Sequence, residues 1–384
     1  MSLDTEFDIK NIVCSYFYDL RDTINLYNLN KDHQNNIRIT NLYDIPEIYI
    51  YRLNQQIIEQ NKYRYVEKLN AHDNKQIRDV NIMKNTLKKL NCRGDNGIDQ
   101  NGIAELNLIE LNATYNKKIF NVNHMKKTLK ILNCCCSGID QNGIAELNLI
   151  ELDASVNRNI ENVNHMKNTL KILYCCCSGI DQNGISELNL IELKAAGNNK
   201  IKNVNHMKKT LKILDCSDHS GIDQNGISEL NLIKLNANYS GKIKNVNHMK
   251  NTLKILYCCG SESSSGSTSS GIDQNGISEL NLIELNSWGN EKIKNVNHMK
   301  NTLKKLHCSY CSGIDQDGIS ELTLIELYIN RNEKIWNVNH MKETLKILDC
   351  GSTNCRIDQK GISELILLLL CAFNLIKFNS DIPF

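Results

Sequence analysis

The sequence predicts an α/β solenoid: a stack of short coils with a curved parallel sheet on the concave face, turns and short helices outside, and a small helical N-terminal region. Two observations predict the stack. The phrase Gly-Ile-Asp-Gln-Asn-Gly-Ile returns, with small changes, around Asp99, Asp140, Asp181, Asp223, Asp273, Asp315 and Asp358, at spacings of 41, 41, 42, 50, 42 and 43 residues. A fixed period of this size is the mark of a stacked-repeat architecture. In addition, each period splits into two similar halves, so the unit is a rung of roughly 20 residues.

The first half reads Leu108-Ile109-Glu110-Leu111-Asn112-Ala113-Thr114-Tyr115-Asn116, followed by Ile119, Val122 and Met125. The second starts at Leu129 and places Leu132, Cys134, Ile139, Ile144 and Leu147 in matching positions. This L-x-x-L-x-A-x-x-N pattern resembles the leucine-rich repeat, and the resemblance runs from about Val66 to the end of the chain. It implies about fifteen rungs over residues 66–384, with degenerate first and last rungs. One rung cannot bury its own apolar side and so requires neighbours, with positions 1, 4 and 6 facing inward. At about 4.8 Å between strands, fifteen rungs would give an arc on the order of 70 Å, a length suited to a protein partner.

Composition narrows the function. There are 45 basic and 43 acidic residues, a formal net charge of +2, which predicts no nucleic-acid partner. The opening Met1-Ser2-Leu3-Asp4-Thr5-Glu6 is not a secretory signal, so an intracellular, non-secreted protein is expected, in the host cytoplasm if viral. The apolar run Ile366–Ala372 is far short of the ~20 residues that span a bilayer. It reads as a buried last strand, and no membrane association is expected.

Position 9 of the first-half rungs holds Asn74, Asn116, Asn157, Asn198 and Asn290, with Ser240 in one rung; Ser137 and Ser178 stand there in the other half. In the leucine-rich-repeat family this amide bonds the backbone of adjacent turns, which would otherwise leave buried polar groups unpaired. The Gly-Ile-Asp-Gln-Asn-Gly segment reads as turn chemistry, with glycine for positive φ and Asp or Asn to close the turn. A calcium loop would need several converging carboxylates, and each copy normally carries one.

The 16 cysteines fall into pattern. Cys92, Cys134, Cys175, Cys216, Cys258, Cys308 and Cys350 hold position 6 of one half-repeat, where the other half has Ala71, Ala113, Ala154, Ala195 and Ala237. They read as small buried side chains. Equivalent cysteines are two rungs apart, roughly 9–10 Å, beyond the ~7 Å reach of a disulfide. Cys308-Ser309-Tyr310-Cys311 has C-x-x-C spacing without a second pair, and the histidines of Asn-Val-Asn-His-Met-Lys (His124, His165, His206, His248, His298, His340) also recur every second rung. Neither pattern makes a zinc site. No catalytic residue, cofactor or metal is expected.

Position 2 of one half-repeat is Lys88, Lys130, Lys171, Lys212, Lys254, Lys304 and Lys346; position 3 of the other is Glu110, Glu151, Glu192, Glu284 and Glu326, with Lys234 as the exception. This is a solvated lattice of lateral charge pairs or a docking stripe. Residues that differ between copies are the better candidates for recognition: Tyr115, Tyr174, Tyr257, Trp288, His307 and Tyr328, since aromatic side chains are enriched at binding hot spots. A Ser/Gly-rich loop at 260–270 accounts for the 50-residue spacing.

Residues 1–65 lack the repeat and read as helical. Ile9, Ile12, Val13, Tyr16, Phe17 and Leu20 make one apolar helix face, and Asp22–Asn30 forms a second helix. The stretch from Phe7 to Pro46 resembles an F-box, which implies that Ile9, Ile12, Val13, Phe17 and Leu20 contact a Skp1-type adaptor of a ubiquitin ligase. A helical cap over the solenoid core is the alternative. The Asn-, Ile- and Lys-rich, near-identical repeats are also similar to leucine-rich-repeat families of large amoeba-infecting DNA viruses. The expected function is an intracellular protein-interaction scaffold, with substrate receptor for a Skp1-containing ligase as the second reading.

Overall fold

A computed structural model describes residues 38–261, 269–351 and 355–371. The chain divides into two compact units, Met1–Leu188 and Asn189–Phe384. In the first, the described strands are β1 (Asn41–Leu42), β2 (Lys68–Asn70), β3 (Lys89–Asn91), β4 (Glu110–Asn112), β5 (Ile131–Asn133), β6 (Glu151–Asp153) and β7 (Ile172–Tyr174), each parallel to the next. The second holds β8 (Glu192–Lys194), β9 (Ile213–Asp215), β10 (Lys234–Asn236), β11 (Ile255–Tyr257), β12 (Glu284–Asn286), β13 (Lys305–His307), β14 (Glu326–Tyr328), β15 (Ile347–Asp349) and β16 (Leu369–Cys371), again parallel in chain order.

Register explains the stack. Leu111 pairs with Leu132, and Leu132 with Leu152. Because strand side chains alternate, the middle residue of each triplet points into the core and its neighbours point out. Leu108, Leu111, Ala113, Ile119, Val122 and Met125 are all fully buried, and equivalent residues repeat this in every complete rung. A fully buried Leu or Ile contributes about 1.5–3 kcal/mol, and that contribution exists only when adjacent rungs are folded.

Short 3-10 turns close each rung, as at Asn101–Ile103 and Asn123–Met125. Asp99 Oδ1 accepts the Gly102 N–H at 3.0 Å, and Asp140 Oδ1 accepts that of Gly143 at 2.9 Å, so the aspartate closes its turn as the sequence implied. The glycines correct the sequence reading. Gly102 and Gly143 are not at positive φ. A Cβ on Gly143 would sit 2.1 Å from the Phe120 carbonyl oxygen, so the requirement is close approach of two rungs. In the first-half rungs, left-handed backbone falls instead at position 8, on Asp73, Tyr115 and Val156 in the first unit and on Gly197, Tyr239, Gly289 and Arg331 in the second.

The parallel pairing reaches back to β1, inside the segment read as helical. Two single-turn helices follow, α1 (Glu47–Ile50) and α2 (Gln55–Ile58), the latter capped by Asn54 Oδ1 accepting from Ile57 N at 3.0 Å. Ile39, Leu42, Ile50 and Ile58 are buried, and Asn74 Nδ2 donates to the carbonyls of Ile50 and Leu53 at 2.7 and 2.9 Å. At the other end, a strand forms within Ile366–Ala372 as expected, at β16, and the outward residues just before it are exposed. Ile366 and Leu368 are 90% and 81% exposed, because they fall at the register places of Asn107 and Ile109, which face outward in the earlier rungs.

Candidate functional site

On the strand face the outward residues are those before and after each buried leucine. In the second unit the register runs Asn236, Tyr257, Asn286, His307, Tyr328, Asp349 across β10 to β15, so three of the divergent residues singled out from sequence stand in one row. The His307 and Tyr328 rings are stacked with centroids 3.9 Å apart. Tyr257 donates its hydroxyl to Glu284 at 3.0 Å, and Tyr328 donates to Glu326 at 3.0 Å. Lys305 lies 3.2 Å from Glu326 and 5.5 Å from the centre of the Tyr328 ring.

Burial shapes the electrostatics of this row. It pushes the Tyr257 phenol up to about 12, assisted by the Glu284 carboxylate. It lowers the His307 pKa, helped by the Lys305 charge, so the ring favours its neutral form. Burial alone would raise Glu326, but the hydrogen bonds from Tyr328 and Lys305 outweigh it and hold the carboxyl low.

Just beyond the strand ends, Trp288 packs against Tyr310 with centroids 4.7 Å apart, and the Arg331 guanidinium lies 5.0 Å from the Tyr310 ring centre. Trp288 therefore joins the same four-rung region. On the Tyr328 rung, Asn330 Oδ1 is a buried acceptor with no hydrogen-bond partner among the described residues. Tyr115 and Tyr174 belong to the first unit. Tyr115 is an exposed position-8 residue at φ 61°, and Tyr174 ends β7 beside Asp153. Sequence reasoning missed Tyr310, Lys305 and Arg331: the tyrosine lay inside a supposed C-x-x-C tract. It also missed the exposed Phe120 and Trp336. Both occupy the position after the buried Ile of Lys-Ile-x-Asn-Val-Asn, where other copies carry a charge, and that divergence was the available signal.

The remaining columns are structural. Asn116 Nδ2 donates to the carbonyls of Cys92 and Ile98 at 3.2 and 3.0 Å, and its Oδ1 accepts from Lys118 N at 2.9 Å. Asn332, not singled out from sequence, repeats this with Cys308 and Ile314. The Gln100 amide does the same work at the next turn, bonding Phe120 and Asn121. His124, His165, His248, His298 and His340 each place Nε2 3.1 Å from a backbone carbonyl of the preceding rung. The position-6 cysteines are buried; burial pushes the Cys92 thiol up to about 12, making it a poor nucleophile. Cys308 is inside and Cys311 exposed, so they share no common side of the rung.

The charge lattice is corrected. Among the described residues the position-2 lysines join no ion pair, and Glu110 takes Lys89 instead. The regular ladder lies on the turns: Lys84 with Glu105, Lys126 with Glu146 and Lys167 with Glu187 in the first unit, and Lys208 with Glu229, Lys250 with Glu279, Lys300 with Glu321 and Lys342 with Glu364 in the second. The F-box contact residues Ile9, Ile12, Val13, Phe17 and Leu20 lie outside the described residues, as do Asp22–Asn30 and the centre of the Ser/Gly-rich loop. No helix among the described residues is long and apolar enough to cross a membrane.

No family model matches the sequence, and no curated protein does. Among solved structures, the chain is similar to the functional domain of InlJ from Listeria monocytogenes, which includes a cysteine ladder, at TM-score 0.50 and 20% identity over 79% of this chain and 66% of that one. It thus spans just under two thirds of that structure. The Rad7 and Elc1 complex of yeast matches at TM-score 0.46 and 14% identity, covering 89% of this chain and 90% of that one. The complex of TLR13 with ssRNA13 matches at 0.43 and 18%, covering 82% and 54%.

Proposed function

From its leucine-rich-repeat fold, we propose that this chain is an intracellular protein-interaction scaffold, and that its recognition patch is the aromatic region over β11 to β14. The observation that carries the reading is the gathering of Tyr257, Trp288, His307 and Tyr328, four residues that break the repeat, onto adjacent rungs with Lys305, Tyr310 and Arg331 among them. Aromatic and Arg side chains supply most binding energy at protein interfaces. The patch spans three strand spacings, about 14 Å, which fits a peptide segment or loop of a partner protein. The near-zero net charge argues against a polyanion. No residue is assigned to catalysis, and no cofactor is invoked.

The test compares proteins captured by the wild-type chain with those captured by Trp288→Ala and Tyr328→Ala, using Tyr115→Ala as the control from the first unit. Partners lost from the first two variants and kept by the control support the reading, provided thermal stability is unchanged. Identical capture by all four chains would remove it.

Ubiquitin-ligase substrate recruitment is the second reading, resting on the Phe7–Pro46 pattern. Residues 39–63 contribute buried side chains and backbone acceptors to the first rung, which favours a cap over that part of the segment. Deleting residues 1–37 leaves that cap intact. If the full chain binds no Skp1-type adaptor, or the deletion binds it equally, the ligase reading fails.

A further inference from the structure

We propose that Cys350 and Cys355 are a redox-active pair that closes into an intrachain disulfide by exchange with a low-molecular-weight disulfide such as oxidised glutathione. The repeat itself brings the two sulfurs together. Each second-half rung keeps its position-6 cysteine inside and closes the following turn with a small polar side chain two residues before a buried isoleucine. That side chain is Asn96, Ser137, Ser178, Ser220, Ser270 or Ser312, and its oxygen accepts the isoleucine N–H at 2.8 to 3.4 Å. The copy after β15 breaks the pattern. Cys355 stands two residues before the buried Ile357, and its sulfur takes the Ile357 N–H in the place of the serine oxygen. This copy therefore sets a second thiol in the turn beside the position-6 thiol, and the Cys350 and Cys355 sulfurs are hydrogen-bonded to each other.

The two thiols are not equivalent. Cys350 is 2% exposed, whereas Cys355 is half-buried. The Cys350 S–H donates to the Cys355 sulfur; this bond, helped by the Ile357 N–H, outweighs burial and lowers the Cys355 pKa. The same bond and then burial raise that of Cys350. Cys355 is thus the attacking thiolate. It bonds to one sulfur of the small disulfide, and the other half leaves as a thiolate that takes up the Cys355 proton. Cys355, now in a mixed disulfide, no longer offers a thiolate to Cys350, so the main cause that held the Cys350 proton is gone. Cys350 then attacks the Cys355 sulfur and expels the second half, which takes the Cys350 proton. Two protein thiols are oxidised to one disulfide, and the small disulfide is reduced to two thiols.

Neighbouring sulfurs lack this arrangement. Cys135 and Cys136 are also hydrogen-bonded, but burial pushes the Cys135 thiol up to about 12, so it keeps its proton. Cys371 pairs in register with Asp349, at an outward place, while Cys350 faces the core. The Cys350 N–H donates to the Cys371 carbonyl at 2.9 Å, so a bond at Cys350 fixes the residue that ties β15 to β16.

The experiment equilibrates the full chain in glutathione buffers of rising oxidised fraction, alkylates free thiols under denaturing conditions and weighs the tryptic peptides. Residues 347–356 form one such peptide, which holds Cys350 and Cys355 and no other cysteine. It is expected to lose both alkyl groups together and to become lighter by two hydrogens, reversibly on return to reduced glutathione. Cys355→Ser, which restores the residue of five other copies, should keep the wild-type melting temperature of the reduced chain and leave Cys350 alkylated at every ratio. Cys371→Ser should close as wild type does. A peptide that stays fully alkylated in oxidised glutathione overturns the proposal. So does one that stops at a glutathione adduct on Cys355, or one found bridged to the peptide of Cys371.

Discussion

The imidazole of His307 lies flat on the phenol ring of Tyr328, with 1° between the ring planes, on neighbouring strands of the same sheet. Burial and the Lys305 charge hold that imidazole below its ordinary pKa of 6.5, and burial does the same to His124, His165 and His298. A histidine lowered in the folded state binds fewer protons than in the unfolded chain. Its contribution is complete above the unfolded value and is lost as pH falls through the folded one. The unfolding temperature should therefore be flat above about pH 7 and decline below pH 6.5. His307→Phe, which keeps a ring to stack, should make the decline shallower; an unchanged slope would mean that the imidazole does not titrate in this window.

Val156 is a β-branched residue held at φ 56° and 46% exposed, so it bears strain and supplies little core contact. Left-handed backbone costs an ordinary residue about 1–2 kcal/mol, and asparagine tolerates it better. Val156→Asn should raise the urea midpoint by an amount equivalent to about 0.5–1 kcal/mol. Tyr115→Asn should act in the same direction at the preceding position-8 site in the same half-repeat.

Leu111, Leu132 and Leu152 meet in register because spacing alone dictates which side chains need company, and spacing is printed in a sequence. The asparagine column was legible for the same reason. Lys126 and Glu146 form an ion pair across adjacent turns, and nothing in their separation along the chain marks them as neighbours until the turns are placed. Tyr310 was hidden inside a cysteine spacing, and its contact with Trp288 depends on a left-handed residue at φ 60° that no local propensity predicts. The patch was thus half visible: the sequence marks which residues diverge, while the register decides which of them share a face.

Gly143 is a residue whose role the sequence suggested for the wrong reason. Its backbone is unstrained, yet an added Cβ would stand 2.1 Å from the Phe120 carbonyl oxygen and 3.1 Å from its carbon. Those are backbone atoms, so relief requires separating two rungs, including the Val122 N–H bond to the Gly143 carbonyl at 3.0 Å. Gly143→Ala should cost about 2–4 kcal/mol despite alanine's better intrinsic propensity. Hydrogen exchange should speed at Val122 and Gly143 before it does in β2 and β3. Wild-type stability would show that the rungs yield more easily than their spacing implies.

Asn157 offers the sharpest test of how rungs are tied together. Its Nδ2 donates to the Cys134 and Ile139 carbonyls at 3.1 and 2.8 Å, while Oδ1 accepts from Asn159 N at 3.1 Å. Asn157→Ala strips the buried Ile139 carbonyl and the part-buried Asn159 N–H of these bonds, while the Cys134 carbonyl keeps the Ser137 N–H at 3.2 Å, and each unsatisfied buried group costs about 1–3 kcal/mol. Asn157→Ser should cost clearly less, because Ser137 in the alternate half-repeat already shows a hydroxyl accepting the N–H two residues on, from Ile139 at 3.2 Å. A serine can close its own turn but is too short to reach both carbonyls of the rung before. The expected order of stability is wild type, then Asn157→Ser, then Asn157→Ala, with the two variants separated by about 1 kcal/mol or more in urea titrations. Equal losses would show that the inter-rung bonds carry all of the effect and the turn bond none.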